Sequence, residues 1–78
     1  MHTTSPTSTL PAKVRFGHAL RAAREMLGMS QEELAERAGL HRTYIGQVER
    51  GERNISVDSM ERLAAAVKID LWIMLTPK

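Results

Sequence analysis

The strongest constraint on the fold is the stretch QEELAERAGLHRTYIGQVER at positions 31–50, which joins two short helical patterns with almost no chain between them. The first pattern ends at Gly39, and the second begins after only two more residues. Helices that meet steeply across so short a turn need a small residue at their approach, a residue tolerant of positive φ, and apolar residues that hold the second helix. These requirements are met in order by Ala35, Gly39, Leu40, Ile45 and Val48. The stretch predicts a helix-turn-helix.

Helical patterns also precede this pair. A first helix at about Lys13–Leu27 carries one apolar stripe, and Gly28 ends it. The stripe consists of Phe16, Leu20, Ala23 and Leu27. Ser30 followed by Glu33 is a capping box, in which the hydroxyl accepts from the N3 amide and the carboxylate reaches back to the N-cap amide. The second helix is therefore predicted to begin at Gln31.

Two more helices follow the pair. Ser56 is expected to cap a fourth helix, whose apolar stripe consists of Val57, Met60, Leu63, Ala64 and Val67. Asp70 is expected to cap a short fifth helix, LWIML, which ends before Pro77. No stretch of useful length shows strand alternation. The predicted fold class is all-α, with five helices and the helix-turn-helix at helices 2 and 3.

The length of 78 residues supports one domain. Residues 1–11 are polar and are predicted to form a disordered N-terminal arm, and residues 12–78 the helical domain. A domain this small buries only about 60% of the surface that its unfolded chain exposes, so its core must be thin. Because the chain has no cysteine, helix packing or a partner subunit must stabilise it.

Composition excludes several classes of function. The longest apolar run is five residues, against about 20 for a membrane span, and the start of the chain lacks the features of a secretory signal. His2, His18 and His41 are too dispersed to bind a metal. No nucleophile and base pairing or phosphate-binding loop is present. We expect a soluble, cytoplasmic protein without cofactor, metal or enzymatic activity; its net charge of +2 is compatible with a DNA partner but does not require one.

The helix-turn-helix stretch resembles the DNA-binding domain of phage repressors, and the likeness extends over about Val14–Leu75. Within it, SQEELAERAG followed by RTYIGQVERGERN is most similar to the controller proteins of restriction-modification systems. The resemblance implies a compact, lambda-repressor-like domain that regulates transcription as a homodimer on paired operator sites. An antitoxin or phage-type repressor on the same domain is one alternative. A protein-interaction module that keeps the helix-turn-helix only as a scaffold is another.

The third helix, about Arg42–Glu49, is predicted to present its outer face to DNA. If Ile45 is set at zero on a helical wheel, Thr43, Gln47 and Arg50 lie on the opposite face. Arg42 starts the helix, where side chains of a recognition helix reach base edges in the major groove. The predicted base readers are Arg42, Thr43 and Gln47, and the resemblance adds Arg53 from the following loop. The alternative is that these side chains form an ordinary solvent-exposed helix face, which the helix-turn-helix spacing disfavours.

Four residues are predicted to contact the DNA backbone. Gln31 begins the second helix, whose N-terminus attracts anions. Tyr44 lies between core and solvent on the wheel, so a packed ring is an equal alternative. The resemblance implies a contact from Asn54, with a solvated turn as its alternative. Ser59 lies in the first turn of the fourth helix, where a role in capping competes with a phosphate contact.

The resemblance also implies a structural ion pair. In the repressor family an Arg seven residues before the Gln of helix 2 pairs with the Glu that ends helix 3, and Arg24 and Glu49 occupy these positions. We expect this pair to hold the first helix against the recognition unit. Removal of one partner would leave a poorly hydrated charge.

The LWIML segment predicts a dimer interface at the C-terminal helix. Leu71, Trp72, Ile73, Met74 and Leu75 cannot all face the core of a domain this small, and an exposed apolar patch usually marks an interface. The alternative is that Trp72 only covers the thin core. In a two-fold dimer, two recognition helices about 34 Å apart would enter successive major grooves of double-stranded DNA, on half-sites with inverted symmetry. An activating role would require a further partner, RNA polymerase.

Overall fold

The computed structural model describes residues 10–77 and contains five α-helices. They are α1 (Ala12–Met26), α2 (Gln31–Ala38), α3 (Arg42–Glu49), α4 (Val57–Ala66) and α5 (Leu71–Met74). The first nine residues of the predicted arm, with His2, lie outside the described residues. The all-α prediction is confirmed, and α2 and α3 have the predicted bounds. None of the described helices is long and apolar enough to span a membrane.

All five helices contribute to a single hydrophobic core. Its largest fully buried side chains are Phe16, Leu20, Leu34, Ile45, Val48, Leu63 and Met74. Each lies at a position where an apolar residue recurs on the inner face of its helix. The core therefore joins the helix-turn-helix to the helices before and after it.

The end of α1 differs from the predicted stripe. Leu27, expected to face the core, is exposed. The helix ends at Met26, and Gly28 has a φ of 70°. The amide of Met29 then donates to the carbonyl of Arg24 at 3.0 Å, which turns the chain back towards α1. Met29 is buried in consequence, at the end of the core where Leu27 was expected.

The α2–α3 unit is built from the predicted local signals, with one exception. The Ser30 hydroxyl accepts from the Glu33 amide at 3.0 Å, and Gly39 has a φ of 70°. The second half of the predicted capping box does not form. The Glu33 carboxylate accepts from Arg37 at 2.8 Å instead, because one turn along the helix a cation lies within its reach.

The last two helices agree with the sequence-based predictions only in part. The Ser56 hydroxyl caps α4 by accepting from the Ser59 amide at 3.1 Å. Val57 is exposed because it lies in the first turn, outside the core. Asp70 occupies the N-cap of α5 but makes no side-chain cap. The Ile73 amide, which such a cap would use, already donates to the Asp70 backbone carbonyl at 3.0 Å.

A close approach between α1 and α3 occurs at Gly17, a residue that the sequence patterns did not single out. A Cβ at this position would lie 3.0 Å from the Glu49 carbonyl oxygen and closer still to that of Val48. Both neighbours are backbone atoms and cannot rotate away. The hydrogen of Gly17 therefore sets how closely α1 lies against the end of the recognition helix.

Replacement of Gly17 by Ala should destabilise the domain. The added methyl group forces α1 and α3 apart, so Gly17→Ala should lower the free energy of unfolding by about 1 to 3 kcal/mol in urea denaturation. Gly46→Ala is the matched control. There the nearest atom is the end of the flexible Arg50 side chain, 3.2 Å away, so the gain in helix propensity should leave stability unchanged or slightly higher. Equal losses in both variants would contradict the role assigned to Gly17.

Candidate nucleic-acid interface

The outward side of α3 presents the predicted base readers. Ile45 and Val48 are fully buried, whereas Arg42 and Thr43 are exposed and Gln47 is half-buried at the surface. The first turn of α3 carries Arg42, because the helix begins there immediately after His41. We call Arg42, Thr43 and Gln47 the recognition face. Its polar groups are available to a ligand while the opposite side of the same helix is held in the core.

A buried carboxylate holds α3 in place. The Arg24 Nε donates to Glu49 Oε2 at 2.7 Å and its Nη2 donates to Oε1 at 3.0 Å. The side chains are 11% and 3% exposed, respectively, so the predicted ion pair is present and partly buried. Arg24 Nη1 also donates to the Met29 carbonyl at 2.9 Å. A bidentate pair in this setting fixes orientation as well as distance.

The charge on Arg24 is secured by its partner. The hydrogen bond to Glu49 raises the pKa of the Arg24 guanidinium, and the attraction of Glu49 and Glu25 adds to this, against the opposing effect of burial. The Arg24 guanidinium therefore stays charged in spite of its burial. Its stabilising contribution depends on both partners being present, since either one alone would be a poorly solvated charge.

Gln31 belongs to the same network. Its Nε2 donates to Glu49 Oε1 at 3.0 Å, so the first residue of α2 contacts the last residue of α3. We call Arg24, Gln31 and Glu49 the Glu49 network. The side-chain amide thus points inward with one of its donors. A phosphate contact by Gln31 stays a prediction, in which the backbone N–H at the start of α2 and the second amide hydrogen would serve.

A second cluster forms where the loop after α3 folds back onto the helix. Arg53 Nη1 donates to Gln47 Oε1 at 3.2 Å, and the Arg53 guanidinium carbon lies 4.9 Å from the centre of the Tyr44 ring. The Tyr44 ring is half-buried and packs against the core. We call Tyr44, Gln47 and Arg53 the Arg53 cluster. Sequence reasoning named all three as DNA contacts but did not find that they touch one another.

An open cleft brings together most of the predicted DNA contacts. It lies between α3, the following loop and the start of α4, and its lining includes Thr43, Tyr44, Gln47, Arg53, Asn54 and Ser59. Gln31 and Arg42 are not part of this lining. The Ser59 amide is engaged in the cap of α4, and its side chain is half-buried. Asn54 is exposed. Six of the eight predicted DNA contacts thus line this cleft, and Gln31 and Arg42 lie outside it.

Arg50 shares the outer face of α3 but is paired. Its Nε donates to Glu52 Oε2 at 2.9 Å and its Nη2 donates to Oε1 at 3.2 Å. These bonds, with the attraction between the charges, hold the pKa of the Glu52 carboxyl below its usual range although partial desolvation opposes them. Arg50 therefore differs from Arg42, which forms no ion pair among the described residues.

Only some residues of the predicted dimer interface are exposed on the C-terminal helix. Trp72 is 69% and Ile73 48% exposed, whereas Met74 is 2% exposed. The assignment of Met74 to an interface was therefore wrong, because on this short helix Met74 faces the domain's own core. Leu71 and Leu75 are half-buried against the same core. Arg15 Nε donates to the Leu75 carbonyl at 2.9 Å, which fixes the end of α5 to α1.

Within residues 10–77, no three His, Cys, Asp or Glu side chains lie close enough together to bind a metal ion. His18 and His41 are both exposed, on α1 and just before α3. The chemistry of the site is that of arginine, amide and hydroxyl groups, which form hydrogen bonds with phosphates and base edges.

The arrangement of α2, the Gly39 turn and α3 defines a helix-turn-helix domain. A family model described as "Helix-turn-helix" matches residues 20–71, and the chain belongs to this family of DNA-binding regulators. It is 47% identical over 57 residues to "Control protein C.SmaI" of Serratia marcescens, a match that covers 73% of this chain and 68% of the relative.

Solved structures give the same result. The restriction-modification controller protein C.AhdI from Aeromonas hydrophila is 45% identical, with a TM-score of 0.75 over 80% of this chain and 94% of the other. The biofilm regulator SinR, solved in complex with DNA, is 29% identical, with a TM-score of 0.74 over 78% of this chain and 98% of the other. The predicted resemblance to phage-repressor-type domains and to controller proteins is confirmed.

Loss of the Glu49 carboxylate should destabilise the domain more than loss of an exposed one. Glu49→Gln leaves Arg24 poorly hydrated, with only the exposed Glu25 carboxylate, 3.9 Å away, as a counter-charge, so the free energy of unfolding should fall by about 3 kcal/mol. Glu33→Gln removes an exposed partner from the Arg37–Glu33 pair and should cost about 0.5 kcal/mol or less. Urea denaturation of both variants measures the difference.

The double variant Arg24→Met/Glu49→Leu separates loss of charge pairing from loss of packing. With both charges removed, apolar side chains fill the same space, and stability should recover by at least half of the Glu49→Gln loss. If the double variant loses as much stability as Arg24→Met and Glu49→Leu lose in sum, the loss in the single variants does not come from an unpaired buried charge.

Proposed function

We propose that the protein is a sequence-specific transcriptional regulator that binds double-stranded DNA as a homodimer on a pseudo-palindromic operator. The observation that carries the proposal is the recognition face, whose Arg42, Thr43 and Gln47 lie outward on a helix fixed from behind by the Glu49 network. A base reader must be positioned before it meets DNA, because loose side chains lose entropy on binding. The domain provides such positioning without a ligand.

The proposed division of labour assigns some of these side chains to base edges and the others to the DNA backbone. The recognition face reaches the major groove, where Arg42 contacts a base edge and Thr43 offers a hydroxyl and a methyl group. Gln31, Tyr44, Asn54 and Ser59 contact phosphates or sugars and set the orientation of the domain. Arg53, in the loop after α3, contacts both Gln47 and Tyr44. The family membership and the DNA complex of SinR support this assignment.

The proposed homodimer uses the exposed part of α5. Trp72 and Ile73 form an apolar surface next to the buried Met74, and such a surface is stabilised when a second copy covers it. A two-fold pair would present two recognition helices about 34 Å apart, one per major groove. Two weak sites joined in this way bind more tightly and more selectively than one.

We further propose that the regulated genes are those of a restriction-modification system. Similarity to C.SmaI and to C.AhdI supports this proposal. Genes for a methyltransferase and an endonuclease beside the coding sequence would support it, whereas a neighbouring toxin gene would favour an antitoxin. An activating role would require contact with RNA polymerase, which transcription in vitro from the operator would test. A cytoplasmic location is part of the proposal, since the DNA lies there.

Arg42→Ala should weaken binding to the selected operator by about 1 to 3 kcal/mol, because a contact to a base edge is lost. Binding to random duplex DNA should hardly change. The operator is first obtained by selection from random DNA, and both affinities are measured at fixed salt concentration. Arg37→Ala, which removes an exposed arginine at the far end of α2, is the control and should leave both affinities nearly unchanged. Equal losses by Arg42→Ala on operator and random DNA would contradict base readout.

Trp72→Glu should weaken self-association by about 2 kcal/mol or more, as expected for an aromatic residue at the centre of an interface. Sedimentation equilibrium measures the change. Met26→Glu is the matched control, because Met26 is also exposed and apolar but lies at the end of α1. If the wild-type chain is a monomer at micromolar concentration, or if both variants weaken self-association equally, the proposed interface is wrong.

A further inference from the structure

The Arg53 cluster contains a contact that determines what Gln47 can read. A glutamine side chain carries one acceptor oxygen and one amino group with two hydrogens, and it reads a base with whichever end it presents. Arg53 carries only donors. The Gln47 atom that lies 3.2 Å from Arg53 Nη1 is therefore the oxygen, and the orientation of the amide follows from this partner.

Arg53 is itself held by a second contact. Its guanidinium lies over the Tyr44 ring at 4.9 Å, and that ring packs against the hydrophobic core. A cation over an aromatic face is attracted by the ring quadrupole. The chain of support thus runs from the core through Tyr44 and Arg53 to the amide of Gln47. The amide orientation is a property of the folded domain before any DNA is bound.

The orientation has a consequence for base choice in the major groove. Guanine presents two acceptors, N7 and O6, whereas adenine presents an acceptor at N7 and a donor at its amino group. A free glutamine pairs well with adenine because it can donate and accept at once. A glutamine whose oxygen serves an arginine presents its amino group and matches the two acceptors of guanine.

We propose that Arg53 is a positioning residue that makes Gln47 a reader of guanine in preference to adenine. The proposal rests on the proposed function, in which the recognition face lies in the major groove. It states that Arg53 affects base choice by orienting the Gln47 amide, in addition to any contact that Arg53 itself makes with DNA. The Gln47 oxygen has a second lone pair that could accept from the adenine amino group. That amino group would then lie beside the Arg53 guanidinium, which carries only donors. The preference for guanine is therefore a difference in affinity of about tenfold.

The test is selection of bound sequences from random duplex DNA with the full chain and its variants. Gln47→Ala identifies the operator position that Gln47 reads, since discrimination is lost there. Arg53→Met removes the donors but keeps an apolar stem over Tyr44, and it should change the preferred base at that position from guanine to adenine. Arg53→Lys restores a donor and should restore guanine. Arg37→Met, which removes an equal charge from an arginine paired with Glu33 at the far end of α2, should leave that position unchanged.

The effect should also depend on Gln47. In the background of Gln47→Ala, Arg53→Met should cause no further change at the same position, because its action runs through the missing amide. The inference is overturned if the wild-type chain prefers adenine there, or if Arg53→Met selects the same base as the wild type. Failure of the wild-type chain to enrich any sequence would overturn the proposed function and this inference with it, whereas an enriched site that Arg53→Met leaves unaltered overturns the inference alone.

Discussion

The buried carboxylate of Glu49 is the interaction on which the arrangement of the helices depends. It receives Arg24 from α1 at 2.7 and 3.0 Å and Gln31 from the start of α2 at 3.0 Å. A carboxylate that is 3% exposed is tolerated only when hydrogen-bond donors replace the water it has lost. Because the donors come from two other helices, satisfying this one group sets the position of all three. The last residue of the recognition helix is thereby fixed from within.

Backbone packing at Gly17 acts at the same place. The carbonyl groups of Val48 and Glu49 lie directly over Gly17, so α1 approaches the end of α3 as closely as two backbones allow. This proximity brings Arg24, two turns further along α1, within reach of Glu49. Neither feature alone would define the geometry: the close approach sets the distance between the helices, and the bidentate ion pair sets their rotation.

Local signals explain how much of this could be predicted from sequence. Ser30, Gly39 and Ser56 act within three or four residues, and the bounds of α2 and α3 and the start of α4 followed from such signals. Predictions that depended on how a whole helix meets its neighbours were less successful. The prediction that Leu27 faces the core was wrong because α1 ends one residue earlier than the apolar stripe suggests. The prediction that Met74 lies in the dimer interface was wrong because a run of five apolar residues does not reveal which of them face the core. The contact between Gln47 and Arg53 depends on the path of a loop, which periodicity does not describe.

The two ends of the proposed dimeric regulator are linked through α1. Arg15 on this helix bonds to the end of α5, beside the exposed Trp72 and Ile73, while Gly17 and Arg24 on the same helix contact the end of α3. A single helix therefore connects the surface that would join two copies to the helix that would enter DNA. In a two-fold dimer this connection would help to set the separation of the two recognition helices, because α1 is bonded to the end of α5 and packs against the end of α3. Spacing between half-sites would then be a property of the core packing as much as of the interface itself.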